Sequence, residues 1–158
     1  MGVQGKNIGN FIVGRMSSDY LNMASVTLTN AKILTVRASP ITLVPSQGAG
    51  TVIEFVSGML FLDAAGGAYT ESADNLIFRY VDGSGLVVCD DIECTGFIDQ
   101  ADEMATTISA KINAIATDAQ CVNQPLVIHG SGNGEFGGGN SANDLLVKVG
   151  YRVHASGF

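Results

Sequence analysis

Hydrophobic residues in this chain fall into short runs that are separated by glycine-rich turns, and the longest run is Val52–Leu62. Alternate residues of an extended strand point to opposite faces. Regular alternation would place Ile53, Phe55, Met59 and Phe61 on one face and Val52, Val56, Leu60 and Leu62 on the other. A strand that is apolar on both faces is typical of a central strand covered on both sides. We therefore predict that this run is the central strand of a packed domain.

Other segments show the period of two that indicates a half-buried strand. The clearest is Leu145–Val153, in which apolar residues alternate with polar ones, and Asn75–Val81 shows the same pattern before a hairpin-type turn at Asp82–Gly85. Further strands are predicted at Ala24–Arg37, Ile41–Val44, Leu86–Cys89, Ile92–Ile98 and Pro125–His129. This number of short strands predicts an all-β fold, a two-sheet antiparallel β-sandwich or a barrel.

The segment Asp99–Cys121 is ambiguous between helix and strand. Its apolar residues Met104, Ile108, Ile112 and Ile115 recur at helical intervals, and Asp99 or Asp102 could cap a helix. Several threonines oppose a helix here. We expect at least one short helix in this segment, and the pattern leaves open an embedded strand.

Residues 1–24 show neither the helical nor the strand period, because glycines interrupt them repeatedly. We predict an extended N-terminal arm at 1–24, followed by one β-sandwich domain at 25–158. The short apolar cluster Phe11, Ile12 and Val13 could order the arm by docking on a neighbouring molecule. These three residues are our predicted partner-binding residues.

Composition and charge restrict the classes of partner. The chain has 158 residues, which favours one domain, and its 15 acidic and 8 basic residues give a net charge of −7. This balance argues against binding to nucleic acid or to an anionic membrane surface. No run reaches the roughly 20 apolar residues of a transmembrane helix, and no signal peptide pattern is present. The charged fraction of 15% is low for a soluble domain and indicates that part of the surface is hidden against a partner.

One glycine pattern resembles a nucleotide-binding motif. Gly132–Gly137 fits G-x-G-x-x-G after a predicted strand, but a dinucleotide site needs a helix to begin there. More glycine and then a strand follow instead. We predict a surface loop or a flexible hairpin.

Three groups of residues could carry chemistry, and each has a simpler structural interpretation. Asp90, Asp91 and Glu93 lack the spacing of a calcium loop, so we predict a solvated edge or a contact between subunits. The two histidines, His129 and His154, lack the close pairing of a metal site. The cysteines Cys89, Cys94 and Cys121 are odd in number, lack zinc-type spacing and are predicted to be reduced structural thiols. We predict no enzyme activity, no catalytic residue, no metal and no cofactor.

Several short motifs together resemble a known family. They are the string P-x-T-L-V-P-x-x-G-A-G from Pro40 to Gly50, then Ala68–Thr70, Asn75–Tyr80 and Thr95–Asp99, and the ending from Gly134 to Val153. In this order, over about residues 25–153, they resemble small proteins of tailed bacteriophages that are capsid decoration (cement) proteins of jelly-roll type.

The resemblance implies a jelly-roll-like sandwich and a structural role. Such a protein is made in the host cytoplasm, lies on the outer surface of the virion capsid and bridges subunits of the major capsid protein. It would also associate with itself as a homo-oligomer, a dimer or a trimer. The alternative is a phage fibre or receptor-binding module that holds host-surface carbohydrate in the loops 64–72 and 130–143. The third and weakest hypothesis is an enzyme of the cupin type.

Overall fold

A computed structural model describes residues 20–71, 74–112 and 115–157. In that part of the chain the strands are β1 (Asn22–Thr29), β2 (Ile41–Val44), β3 (Thr51–Asp63), β4 (Tyr69–Thr70), β5 (Leu76–Tyr80), β6 (Met104–Ser109), β7 (Leu126–Gly130), β8 (Gly137–Gly138) and β9 (Asp144–Ala155). Two single-turn helices, α1 (Asn30–Ile33) and α2 (Asp118–Cys121), lie between them. Neither of these helices is long and apolar enough to span a bilayer.

The strands form two main antiparallel sheets. The four-stranded sheet has the order β1-β9-β3-β6, the three-stranded sheet has the order β2-β7-β5, and β4 pairs with β8 alone. Residues 86–92 add a partial fourth strand to the three-stranded sheet, through the bridges Arg79–Val87 and Leu76–Ile92. This arrangement is that of a jelly roll. The predicted all-β, two-sheet antiparallel sandwich with one or two short helices is confirmed.

The core lies between the two sheets and is tied across them by aromatic side chains. Phe55 of β3 meets Phe78 of β5 edge to face, with ring centroids 5.3 Å apart. Gly58 makes room for this ring, since a Cβ there would lie 3.1 Å from Phe78 Cε2. The Tyr80 hydroxyl donates a hydrogen bond to the carbonyl of Ile53, and burial raises the pKa of Tyr80 to about 12. The sheets are therefore joined by directional contacts as well as by apolar packing.

The central strand is β3, as predicted, but its faces differ from regular alternation. Phe55 pairs with Tyr151 and Ser57 with Gly150, so Val56 is the extra residue of a β-bulge. Beyond a bulge the side chains exchange faces. The inward residues are therefore Ile53, Phe55, Leu60 and Leu62, all buried, whereas Met59 and Phe61 point outward.

The expectation that β3 is covered on both sides is wrong for the described residues. The three-stranded sheet covers its inner face, but Met59 on the other face is 37% exposed, and Met23 of β1 on that face is 65% exposed. We call this outward side of the four-stranded sheet the outer face. It is an apolar sheet surface that no described element covers.

The expectation of a short helix in Asp99–Cys121 is confirmed by α2, and the embedded strand that the pattern left open is β6, but the residues with helical spacing do not form the helix. Met104–Ser109 forms strand β6, because its β-branched residues pair with β3 instead of completing a turn. The helix that does form, α2, begins after Thr117, and Thr117 and Gln120 form a capping box there. Asp99 instead accepts a hydrogen bond from the N–H of Gly96.

Other predicted boundaries shift by a few residues. Strand β1 begins at Asn22, inside the range predicted as arm, and the strand predicted at Ala24–Arg37 ends at Thr29, where α1 follows. The strands predicted within 86–98 are isolated bridges rather than ladders. The predicted anchor residues Phe11, Ile12 and Val13 lie outside the described residues.

Neighbouring leucines of β9 provide a test of which face is covered. Leu145 is fully buried and Leu146 points to the outer face. We expect Leu145→Ala to lower the free energy of unfolding by about 2–5 kcal/mol, because it leaves a cavity in the core. We expect the chemically identical change Leu146→Ala to cost less than about 1.5 kcal/mol. Urea unfolding at low protein concentration measures both, and equal losses would contradict the assigned faces.

Candidate interaction surface

The outer face is built from rows of side chains that run across the four strands. One row contains Thr27, Leu146, Phe61 and Ala105, which are successive partners on β1, β9, β3 and β6. The next row contains Ser25, Lys148, Met59 and Thr107. The Lys148 ammonium group lies 5.4 Å from the centroid of the Phe61 ring, a cation–π distance. The middle of this face thus carries the apolar group Leu146, Phe61 and Met59, with one cation beside it and small polar residues on β1 and β6.

One end of the outer face is acidic. Asp63 pairs with Asp144, and Glu103 lies just before Met104, the partner of Leu62. These three carboxylates form the rim of a groove of about 600 Å³, whose floor includes Phe61 and Leu146. We call it the acidic groove. Asp63 accepts a hydrogen bond from the N–H of Ala65, but none of the ion pairs between described residues involves the three acids. An apolar floor beside such acids favours a ligand that is both apolar and basic.

The other end of the outer face carries a charged cluster. His154 Nε2 lies 2.7 Å from Glu54 Oε2, and Arg152 Nη1 lies 3.4 Å from the same oxygen. The hydrogen bond with His154, and next the contacts with Arg152, lower the pKa of Glu54, although partial burial opposes them. All three side chains remain about 40% exposed, so the cluster is a solvated ion pair network rather than a buried one.

A second apolar surface lies where the chain leaves β6. Ile112 is 86% exposed and Ile115 is 85% exposed. Their neighbours Ala110, Lys111 and Ala116 line a cavity of about 440 Å³ between the sheets, whose walls include Phe55 and Tyr80 of the core. We call Ile112 and Ile115 the isoleucine loop. Two large apolar side chains that are almost fully exposed and only three residues apart make this segment a candidate contact surface.

The G-x-G-x-x-G segment at Gly132–Gly137 is a loop, as predicted, and Asp74 explains its glycines. Asp74 is buried, and its Oδ1 accepts a hydrogen bond from the N–H of Gly134 at 2.8 Å. A Cβ on Gly132 would lie 1.9 Å from the same oxygen. The strand β8, not a helix, follows the segment. Gly132 and Gly134 therefore allow the close approach of the loop to a carboxylate.

The loops 64–72 and 130–143, proposed for carbohydrate in the alternative hypothesis, are packed against each other. Asn143 Nδ2 donates to the carbonyl of Gly67 at 2.6 Å, and Asn140 Nδ2 donates to that of Ala65 at 3.4 Å. Strands β4 and β8 join the same two loops. These amide groups hold the two loops together, so they are engaged inside the protein.

The two histidines lie on opposite sides of the sandwich. Ile128 pairs with the inward Phe78, so His129 beside it points away from the core of the sandwich, whereas His154 lies on the outer face of the other sheet. Burial, and then the charges of Arg79 and Arg37, lower the pKa of His129, against a contact with the Arg37 backbone and the charge of Glu135. The two side chains cannot share a ligand.

The acidic residues 90, 91 and 93 are exposed, in line with a solvated edge. Asp90 lies 3.8 Å from the Lys111 ammonium group, and Glu93 accepts a hydrogen bond from the N–H of Thr95. Within the described ranges, no group of three or more His, Cys, Asp or Glu side chains is arranged to hold a metal ion.

All three cysteines are free thiols, and two of them are in the core. Burial raises the pKa of Cys89 to about 11 and that of Cys94 to about 12. Cys121 is half-buried, and burial also raises its pKa. The thiol form therefore dominates at neutral pH, which is the opposite of what a nucleophilic cysteine needs.

The residues of the two apolar surfaces were not identified as site residues from the sequence. Phe61 and Leu146 look like core residues, and only the bulge at Val56 turns Phe61 outward. Ile112 and Ile115 fit a helical period that the chain does not adopt. The paired acids Asp63 and Asp144 are far apart in sequence. Comparisons of the chain with known protein families, with curated proteins and with solved structures found no match.

The charged cluster predicts a specific pH dependence for the variant Glu54→Gln. A lowered pKa in the folded state stabilises the protein above the ordinary carboxyl pKa of 4.5, and this stabilisation is lost as the pH falls through the lowered value. Because the pair is solvent-exposed, we expect the variant to lose less than about 1 kcal/mol at pH 7. The difference from the parent should shrink as the pH falls below 4.5 and vanish below the lowered pKa of Glu54.

Thermal unfolding between pH 3 and pH 8 measures this effect, with Asp91→Asn as the control at an exposed acid. A loss in Glu54→Gln that is as large at pH 3 as at pH 7 would show that the carboxylate charge is not the cause.

The different burial of the three cysteines predicts that they differ in their reaction with a thiol reagent. In the native protein we expect a maleimide reagent to modify Cys121 alone, because Cys89 and Cys94 are buried and protonated. In denaturant all three should react. Mass spectrometry of labelled peptides reads out the sites, and native labelling of Cys94 would contradict the described core.

Proposed function

We propose that this protein is a virion structural protein that decorates the outer surface of a phage capsid and bridges subunits of the major capsid protein. The observation that carries the proposal is that the described residues of one sandwich leave two apolar surfaces exposed, the outer face and the isoleucine loop. A protein that bridges subunits of a shell needs two separate contact surfaces, one for a shell subunit and one for a neighbouring molecule, which can be another copy bound to the next subunit.

The two surfaces lie near opposite ends of β3. The cavity beside the isoleucine loop is lined by Phe55, and the acidic groove is lined by Asp63. Eight residues of strand span about 26 Å. The paired sheets fix this spacing, so the sandwich acts as a spacer of defined length between two partners. Of the two surfaces, we assign the isoleucine loop to the capsid shell.

Composition supports a role in adhesion between protein surfaces. The charged fraction of 15% suits large shared interfaces, whose centres are depleted in charge. The net charge of −7 keeps the protein from competing for packaged DNA. Many copies that each bridge two subunits would stabilise a shell through multivalent attachment, even where each contact is weak.

The jelly-roll topology is compatible with the role and does not decide it. The same architecture occurs in viral capsid proteins, in lectins and in cupins. For a lectin, polar loop groups should converge on a ligand, but the side-chain amides of Asn140 and Asn143 bond to the backbone of the loop 64–72. The contact surfaces therefore favour the structural role over the carbohydrate-binding alternative.

The test combines detection in particles with variants of the isoleucine loop. Particles of the phage whose genome encodes this chain should contain it in tens to hundreds of copies per shell, by quantitative mass spectrometry. We expect Ile112→Asp with Ile115→Asp to reduce co-sedimentation with undecorated capsids at least about tenfold, because the change places charge in an apolar contact.

The matched control is Ser46→Asp, at an exposed position on another loop, which should bind as the parent does. Circular dichroism verifies that both variants fold. Absence of the chain from purified particles would overturn the proposal. A protein that does not bind capsids but gives a signal on a glycan array would also overturn the proposal, and it would favour the receptor-binding alternative.

A further inference from the structure

The acidic groove places like charges opposite each other on paired strands, which is unfavourable in a β-sheet. Asp63 and Asp144 are directly opposite each other on adjacent antiparallel strands, where like charges destabilise the pairing. Glu103 adds a third carboxylate to the same rim. None of the ion pairs between described residues involves these three acids. Such local conflicts are expected where a surface is shaped for a ligand.

The chain itself contains a segment of matching chemistry, in the residues before Tyr20. Residues 1–19 carry two of the chain's eight basic residues, Lys6 and Arg15, and only one of its fifteen acidic residues. The sandwich that follows is therefore more acidic than the whole chain. Next to Arg15 lies the apolar cluster that includes Phe11 and Val13. The segment is thus both apolar and basic, as the groove requires.

The spacing of the two surfaces also matches. In an extended segment, alternate residues share a face and are about 6.6 Å apart. Phe11, Val13 and Arg15 then form a row of two apolar residues and one cation. On β3 the outward row Met59, Phe61 and Asp63 has the same spacing and ends on an acid. Strand β9 repeats the end of this row with Leu146 and Asp144.

We propose that Phe11, Val13 and Arg15 of a second copy of this chain bind the acidic groove as an extended segment. The two apolar side chains lie on the floor over Phe61 and Leu146, and the Arg15 guanidinium group faces the rim carboxylates. This contact extends the proposed capsid role by linking copies to one another. Its biological purpose rests on the proposed function, but the contact itself does not.

The direction of the chain favours a second copy over the segment's own sandwich. Strand β1 runs from Asn22 towards the acidic end, where Thr29 pairs with Asp144. If the segment bound its own sandwich, Arg15 would lie at the acidic end, and the chain from Arg15 to Asn22 would have to run back along the whole length of β1. That length is about 23 Å for seven residues of strand. Seven residues reach at most about 25 Å when fully extended, which leaves no length for the necessary reversal.

Sedimentation velocity of the full-length chain over a range of concentrations, without capsids, tests the contact. We expect Arg15→Glu to raise the concentration needed for self-association at least about tenfold, because it places like charges together. Asp63→Arg should do the same. Two control variants should associate nearly as the parent does. Arg15→Lys keeps the charge, and Asp91→Arg reverses a charge at an exposed site elsewhere.

The decisive sample is an equimolar mixture of Arg15→Glu and Asp63→Arg proteins. In the mixture each segment finds a groove of opposite charge on the other protein, so association should return to within about threefold of the parent. Failure of the mixture to associate better than either variant alone would overturn the proposal. A parent protein that stays monomeric throughout would do so as well.

Disulfide trapping separates a second copy from the same chain. In a Cys121→Ser background, a copy with Val13→Cys is mixed with a copy with Leu146→Cys, and we expect a covalent heterodimer on a non-reducing gel. If the double variant instead closes a disulfide within one chain, the segment binds its own sandwich and the proposal is wrong. Because no capsid is present, these outcomes are independent of the capsid-binding test with the isoleucine loop.

Discussion

The structure depends on how one strand packs against the opposite sheet. β3 is central in the four-stranded sheet, and its inner face carries the residues that meet the aromatic side chains of β5. A single extra residue, Val56, decides which side chains these are. Because a bulge exchanges the two faces of a strand, it also turns Met59 and Phe61 outward. The core and the exposed apolar face are therefore two consequences of one local irregularity.

Polar groups in this protein mostly hold backbone segments in place. Asp74 binds the glycine loop, and the carboxylate of Glu135 accepts hydrogen bonds from the N–H groups of Arg37 and Ala38 at 3.0 and 2.7 Å. Asn143 joins two loops in the same way. Side chains engaged in this manner stabilise a fixed shape. Because these polar side chains bond within the protein, the groups that remain for contact with a partner are mainly the exposed apolar side chains and the acids beside them.

The two uncovered apolar surfaces differ in character, which suits two kinds of partner. Ile112 and Ile115 of the isoleucine loop are almost fully exposed and the sequence 112–115 contains no acid, whereas the outer face has a groove at one end that is lined by three carboxylates. Exposed apolar side chains can fill an apolar pocket on a partner, and a groove with an acidic end can select the orientation of a segment that binds in it. The division of roles proposed for them follows from this difference.

The sequence by itself determined the fold class, because period-two alternation and glycine-rich turns depend only on neighbouring residues. It located β3, β5 and β9 closely, since their apolar patterns are long or clean. It did not determine that Met104–Ser109 is a strand, because pairing with β3 overrode a helical spacing.

Only the tertiary structure decided which apolar residues stay exposed and which distant acids meet. The bulge at Val56 is visible only in the register against β9, and Asp63 and Asp144 are neighbours only because that ladder forms. A local pattern reports how apolar a strand face is. Whether another layer covers that face is decided by the topology of the whole chain.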